Sequence, residues 1–206
     1  MTTQFEQAPR AAFRYWYDDG LVEIGTGLLF LTLSALFAVE GLAPAGSLPA
    51  GFSAFGLPVI LLGGMVVVGL ALRWLKERLT YPRTGYVAYS RTRPIRKVLA
   101  GVIGGLVSLS LVVALASRPE WLAALPALQG AAVAAVCILL GYRMGALRLA
   151  AQGLVALAAG LIASFTGLET YVGTAVVFGA VGLASLISGT LVLAYYLRTT
   201  TPSAEA

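Results

Sequence analysis

Histidine is missing from this 206-residue sequence, and cysteine occurs once, as Cys137. Zinc and redox-metal centres are built from clusters of histidine and cysteine, so these classes of metal site are excluded. One cysteine cannot form an internal disulfide, and no histidine is present to activate Cys137 as a nucleophile. We therefore expect no cofactor, no metal and no catalytic residue, with Cys137 acting as a small hydrophobic side chain inside an apolar run.

Charged residues are also scarce, at 11% of the chain, whereas 59% of the residues are hydrophobic. Soluble domains contain about a quarter charged residues and roughly half apolar ones. The excess consists of alanine, leucine, valine and glycine, which is typical of closely packed membrane helices. The first 20 residues are polar and aromatic and contain no cleavable signal sequence, so the first apolar run is expected to act as an uncleaved anchor.

Long apolar runs define the predicted architecture, because a membrane-spanning helix needs about 20 mostly apolar residues. Six runs qualify, which predicts an all-α integral membrane protein with six transmembrane helices. Their approximate bounds are 21–41, 55–76, 97–117, 121–142, 146–167 and 170–197. The corresponding organisation is an N-terminal segment (1–20), a transmembrane domain (21–197) and a C-terminal tail (198–206).

The basic residues are distributed very unevenly between the two sides of this arrangement. Of the 14 lysines and arginines, only Arg118 falls on the side opposite to the rest. Lysine and arginine are enriched in cytoplasmic loops, so this pattern predicts that both termini are cytoplasmic, in a cell (inner) membrane. The densest cluster, named the basic connector, lies between the second and third predicted helices. Its basic residues are Arg78, Arg83, Arg91, Arg93, Arg96 and Lys97.

The basic connector has more positive charge than membrane orientation alone requires. Clusters of four to eight lysines and arginines beside a membrane helix are typical of contacts with anionic phospholipid headgroups. Docking of an acidic membrane-protein partner is the alternative interpretation. Nucleic acid is not an expected partner, because the connector is short, lies at the membrane and contains no recognisable reading element.

An internal repeat is suggested by three similar turns. Tyr17, Tyr81 and Tyr142 are each followed after two or three residues by a glycine, and they are separated by 64 and 61 residues. Each turn precedes an odd-numbered predicted helix or the segment that leads into it. This spacing predicts three related helical hairpins, with a pseudo-threefold arrangement around the membrane normal.

A group of carboxylates stands at the start of the first predicted helix, on the arginine-rich side. The proposed inter-repeat ion pairs involve Asp18, Asp19, Glu23, Arg83, Arg143 and Arg148. Carboxylates favour helix N-termini and pair well with arginine, which gives the group a structural role. The alternative is a cation or proton site, for which Glu23 lies deepest. Because Glu23 and Arg148 occupy equivalent positions after their turn glycines, we expect these two side chains to meet.

No ionisable residue falls at the middle of any predicted span, which argues against a proton relay. Gln129 and Gln152 are the most costly polar side chains to leave unpaired there. They are candidates for lining a pathway, or they bond to a neighbouring helix.

Three classes of function remain, and none has a decisive motif. A non-catalytic membrane subunit or scaffold is favoured. A small transporter or channel for a neutral or lipid-like solute is the alternative. An enzyme ranks last, because no nucleophile–base pair or metal cluster is visible.

Overall fold

The computed structural model describes residues 17–44, 47, 52–84 and 119–200. Within these ranges every regular element is helical and no strand occurs. The predicted helix 97–117, the basic-connector residues from Arg91 to Lys97, and the terminal segments before 17 and after 200 lie outside the described residues. The sixth span therefore stays a prediction.

Five long helices correspond to the five predicted spans that fall within the described ranges. All five are long and apolar enough to cross a membrane. A short helix, α3, follows the second of them. The bounds are α1 Leu21–Leu42, α2 Phe52–Leu75, α3 Tyr81–Thr84, α4 Leu125–Met144, α5 Leu147–Phe165 and α6 Thr170–Thr199. A π-helical turn, Lys76–Thr80, joins α2 to α3, and a 3-10 turn, Pro119–Ala124, leads into α4.

Helices α1 and α6 form the closest antiparallel pair, and glycine makes their approach possible. A Cβ atom placed on Gly27 would lie 2.9 Å from the carbonyl oxygen of Gly182 and 2.9 Å from the backbone nitrogen of Leu186. One placed on Gly20 would lie 2.4 Å from the carbonyl oxygen of Gly189. The two backbones are therefore in direct contact along about two helical turns, as small residues allow in membrane helices.

Helices α4 and α5 form a hairpin that is packed in the same way. Gly145 ends α4 with a left-handed backbone, at a φ of 66°. A Cβ atom on Gly130 would lie 2.5 Å from the carbonyl oxygen of Ala156, and one on Gly160 would lie 2.5 Å from that of Pro126. Glycine and alanine thus fill the core between these helices, and α5 brings the hairpin against α6.

Helix α2 packs against α1 and presents much of its surface outward. Among its described side chains, seven large hydrophobic ones are each more than half exposed: Val59, Leu62, Met65, Val66, Val67, Leu70 and Trp74. Such a surface is unfavourable in water but is the expected one in contact with lipid, which is as apolar as the side chains themselves.

Helical structure continues beyond α2 and through Pro82 to Thr84, although proline commonly ends a helix. The π-helical turn explains this continuation: the backbone N–H of Tyr81 donates to the carbonyl of Lys76, five residues earlier. This wider turn changes the hydrogen-bond pattern just before Pro82, whose ring would clash in a regular α-helix interior.

Replacing Gly27 by alanine is expected to destabilise the fold, because the new Cβ meets backbone atoms of α6 that cannot move independently. Overpacking of this kind costs about 1–3 kcal/mol. The matched control is Gly63→Ala in α2, where no described atom lies within 4 Å of the added Cβ. Thermal denaturation in detergent should show a lower midpoint for G27A and an unchanged or higher one for G63A. Equal midpoints would contradict the proposed close contact.

Candidate functional site

Polar side chains from four helical segments converge at one end of the bundle, where α1 begins and α6 ends. This group is named the inner-end network. It is contributed by the lead-in and first turn of α1, the π-helical turn, α5 and α6. Its members are Tyr17, Asp19, Glu23, Lys76, Thr80, Arg148, Gln152, Ser185 and Ser188.

Asp19 is the centre of the first half of the network and is only 1% exposed. Its Oδ2 atom accepts hydrogen bonds from the ammonium group of Lys76 and from the Thr80 hydroxyl, the latter at 2.9 Å. Its Oδ1 atom accepts from the backbone N–H of Leu21 at 3.1 Å, at the start of α1. One carboxylate therefore caps α1 and also fixes the π-helical turn against it.

Glu23 is the centre of the second half and is 2% exposed. Its Oε1 atom accepts from Nε of Arg148 at 2.6 Å. Its Oε2 atom accepts from the Ser188 hydroxyl at 2.7 Å and from Nε2 of Gln152 at 3.3 Å. Gln152 Oε1 in turn accepts from the Ser185 hydroxyl at 3.2 Å. The buried charge is thus both paired and hydrogen-bonded, which is the condition for tolerating it.

Arg148 links this cluster to the segment before α1. Its Nη2 atom donates to the backbone carbonyl of Tyr17, while its side chain remains 30% exposed. Burial raises the pKa of the Tyr17 phenol, and the negative charge of Glu23 raises that pKa further. The phenol of Tyr17 is therefore neutral at physiological pH.

The structure places the expected charged residues in different settings. Glu23 and Arg148 are in contact, as their equivalent positions suggest, but the partner of Asp19 is Lys76 and not an arginine. Asp18 and Arg143 are exposed.

Arg83 was expected to pair with a carboxylate, but it binds the end of α6. Its Nη1 atom donates to the backbone carbonyls of Leu197, at 3.1 Å, and Thr200. The last carbonyls of a helix have no partners within the helix and carry partial negative charge, so they attract a guanidinium group. Arg78, the other described arginine of the basic connector, lies over the ring of Trp74 at 4.3 Å.

The two glutamines have different surroundings. Gln152 belongs to the inner-end network, whereas Gln129 Oε1 is buried and has no hydrogen-bond partner among the described residues. The contacts of Gly130 with Ala156, and of Gly153 with Ala134, give the register of α4 on α5. This register separates the two glutamines by about 8 Å along the bundle, at 1.5 Å per residue.

Four members of the network were not identified from the sequence: Lys76, Thr80, Ser185 and Ser188. A weak signal was present in each pair. Lys76 and Thr80 are four residues apart, and Ser185 and Ser188 are three apart, so each pair can share one helix face. Sequence spacing could not show that these faces point at Asp19 and Glu23, because that depends on how the helices pack.

A groove of about 380 Å³ opens beside the network. Asp18 and Arg148 form its charged part. The last turns of α6 supply the remainder through Leu191, Val192, Tyr195, Tyr196 and Thr199. Among the residues that the structure describes, no group of three or more histidine, cysteine, aspartate and glutamate side chains could hold a metal ion.

Comparison of the chain with models of protein families, with curated proteins and with solved structures finds no match in any of the three.

The Asp19–Lys76 pair gives a direct test of the network. Lys76→Met should lower the free energy of unfolding by about 3–5 kcal/mol, because it leaves a buried carboxylate without its cation. Adding Asp19→Asn to K76M should recover part of this loss, because the unpaired charge is then gone. The control is Glu77→Gln, which changes an exposed neighbour on the same turn. If K76M and E77Q denature at the same midpoint, the Asp19–Lys76 pair does not contribute to the stability of the fold.

Proposed function

We propose that this chain is a non-catalytic subunit or scaffold of the cell (inner) membrane, and that its basic cytoplasmic face contacts anionic phospholipid or an acidic membrane-protein partner. The observation that supports this most is the inner-end network. Its buried carboxylates are each engaged by a cation and by further donors, so they fix the relative positions of α1, the π-helical turn, α5 and α6. Saturation by a cation and further donors supports a positional role for these carboxylates over a catalytic one.

The packing between the described helices favours a scaffold over a transporter. Glycine and alanine bring the backbones of α1 and α6, and of α4 and α5, into direct contact. A transporter or channel for a neutral or lipid-like solute would need a continuous polar cavity past Gln129 and Gln152. These side chains lie at different levels, and Gln152 is committed to Glu23 and Ser185.

The proposal includes six spans arranged as three related hairpins. Two observations support the repeat. Gly20 and Gly145 both have left-handed backbones, with φ values of 72° and 66°, and each lies just before an odd-numbered span. Glu23 and Arg148 follow these glycines by three residues and contact each other, as expected for equivalent positions in adjacent repeats.

The orientation of the chain follows from the basic connector, which we place in the cytoplasm together with both termini. Structural support comes from the first part of the connector. Arg83 binds the end of α6, so the start of the connector and the C-terminal end of α6 lie at the same end of the bundle as the inner-end network. We place the other basic residues of the connector on the same face, where anionic headgroups would attract them.

Cysteine labelling tests this orientation in a Cys137→Ala background. A cysteine introduced by Ser90→Cys, within the connector, should be protected from a membrane-impermeant maleimide added to intact cells. One introduced by Ser47→Cys, between α1 and α2, should react. Both should react after the cells are permeabilised. Labelling of S90C from outside would overturn the orientation.

Lipid retention tests the basic face. Replacing Arg91, Arg93, Arg96 and Lys97 together by glutamine should reduce binding of phosphatidylglycerol by at least about tenfold, since each charge near the surface contributes about 1 kcal/mol. In the matched control, lysine replaces each of the three arginines and arginine replaces Lys97, so the charge at all four positions is kept. Native mass spectrometry of the purified variants counts the lipids that remain bound. Equal retention by both variants would remove the lipid part of the proposal.

A further inference from the structure

The segment 85–118 runs from one end of α6 to the other. At its start, Arg83 binds the last backbone carbonyls of α6. At its end, the 3-10 turn Pro119–Ala124 lies beside the first residue of α6, where the Thr170 hydroxyl donates to the backbone carbonyl of Leu122 at 3.4 Å. Helix α6 is long enough to cross a membrane. The segment therefore has to cross the same distance, and in lipid a crossing segment satisfies its backbone groups as a helix.

Two seams between described helices follow one pattern, which indicates the neighbour of this segment. A Cβ atom on Gly189 of α6 would meet the carbonyl oxygen of Gly20 and, four residues later, a backbone nitrogen of α1. A Cβ atom on Gly141 of α4 would meet the carbonyl oxygen of Ala146 and, again four residues later, a backbone nitrogen of α5. Each seam joins the second helix of one predicted hairpin to the first helix of the next. The remaining pair of this kind is α2 with the third predicted span (97–117).

Gln129 is a polar side chain of α4 on the side away from α5. Helix α4 contacts α5 through Ala134, whose carbonyl oxygen lies 3.0 Å from a Cβ atom placed on Gly153. Gln129 lies five residues before Ala134, which places it about 140° away around the helix. Its Oε1 atom is buried and has no hydrogen-bond partner among the described residues. An unpaired amide is unfavourable away from water, so we expect a donor from a further helix on this side.

Ser108 has the depth that such a donor requires. Pro119 lies at the junction between the third predicted span and the turn before α4. From Pro119 to Gln129 the chain rises roughly 17 Å, at about 2.0 Å per residue in the 3-10 turn and about 1.5 Å in α4. Ser108 precedes Pro119 by 11 residues, which is roughly 16 Å of α-helix. Ser110 lies about 160° from Ser108 around such a helix, so it belongs to the opposite face.

We propose that the third predicted span packs against α4, on the side toward α2, and that the Ser108 hydroxyl donates a hydrogen bond to Gln129 Oε1. This inference rests on the six-span arrangement of the proposed function and adds the surface that the third span covers. A serine hydroxyl has one proton to donate, and an amide oxygen accepts it. The third span then fills the place between α2 and α4, and the helices close into a ring. A closed ring suits a scaffold, because a partner then docks on its outer surface.

The test compares thermal midpoints of the full-length protein in detergent. Gln129→Leu should lower the midpoint by about 2 °C, because it removes a hydrogen bond of the size measured between membrane helices. If the amide has no partner, the same change removes an unpaired buried polar group and raises the midpoint instead. Ser108→Ala should also lower it, and the combined variant should lower it by less than the sum of the two. Ser110→Ala is the matched control, and its effect should add to that of Q129L.

A crosslink tests the same contact independently of stability. In a Cys137→Ala background, Ser108→Cys and Gln129→Cys together should form a disulfide on mild oxidation, because side chains in contact have the Cβ separation that a disulfide needs. Maleimide labelling of the unfolded protein counts the thiols that remain, and S110C with Q129C should keep both. The inference would be overturned by an unchanged or higher midpoint for Q129L, by additive effects of S108A and Q129L, or by equal crosslinking of the two cysteine pairs.

One more variant separates a failure of this inference from a failure of the proposed function. Glu120→Cys lies in the 3-10 turn that follows the segment. In the Cys137→Ala background it should react with a membrane-impermeant maleimide added to intact cells, whereas S90C should be protected. If this labelling is observed but the crosslink is not, the segment crosses the membrane and only its position beside Gln129 is wrong. If E120C is protected as well, the six-span arrangement itself fails.

Discussion

Two buried carboxylates at the start of one helix organise the described part of this protein. Asp19 and Glu23 are almost inaccessible, and an unpaired charge in such a position is strongly unfavourable. Each is compensated by a cation from a different part of the chain, Lys76 for Asp19 and Arg148 for Glu23. The requirement to satisfy these two groups ties α1 to the π-helical turn and to α5 and, through Ser188, to α6.

Such a network complements the other force that holds the helices together. In lipid there is no hydrophobic gain from bringing apolar helices into contact, so association depends on close packing and on polar contacts. Glycine provides close packing along the α1–α6 and α4–α5 seams. The charged network provides the specific polar contacts at one end. Packing brings the helices together, and the ion pairs determine which faces meet.

The five described spans could be predicted because each is a long apolar run, and this property does not depend on the rest of the fold. The contact between Glu23 and Arg148 could also be predicted, since the hypothesis of a repeat puts these two residues at equivalent positions. The partner of Asp19 could not be predicted from the sequence. Lys76 lies in the π-helical turn after α2, and a local change of hydrogen-bond register leaves no clear pattern in the sequence. The same turn explains why Pro82 did not end the helix.

Helical structure runs without interruption from Phe52 through the π-helical turn to Thr84. At 1.5 Å per residue this rod is roughly 48 Å long, whereas the hydrocarbon layer of a bilayer is about 30 Å thick. It is therefore long enough to traverse the headgroup layer as well. The end of this rod at Thr84 can therefore reach the level of the lipid phosphates on one side of the bilayer.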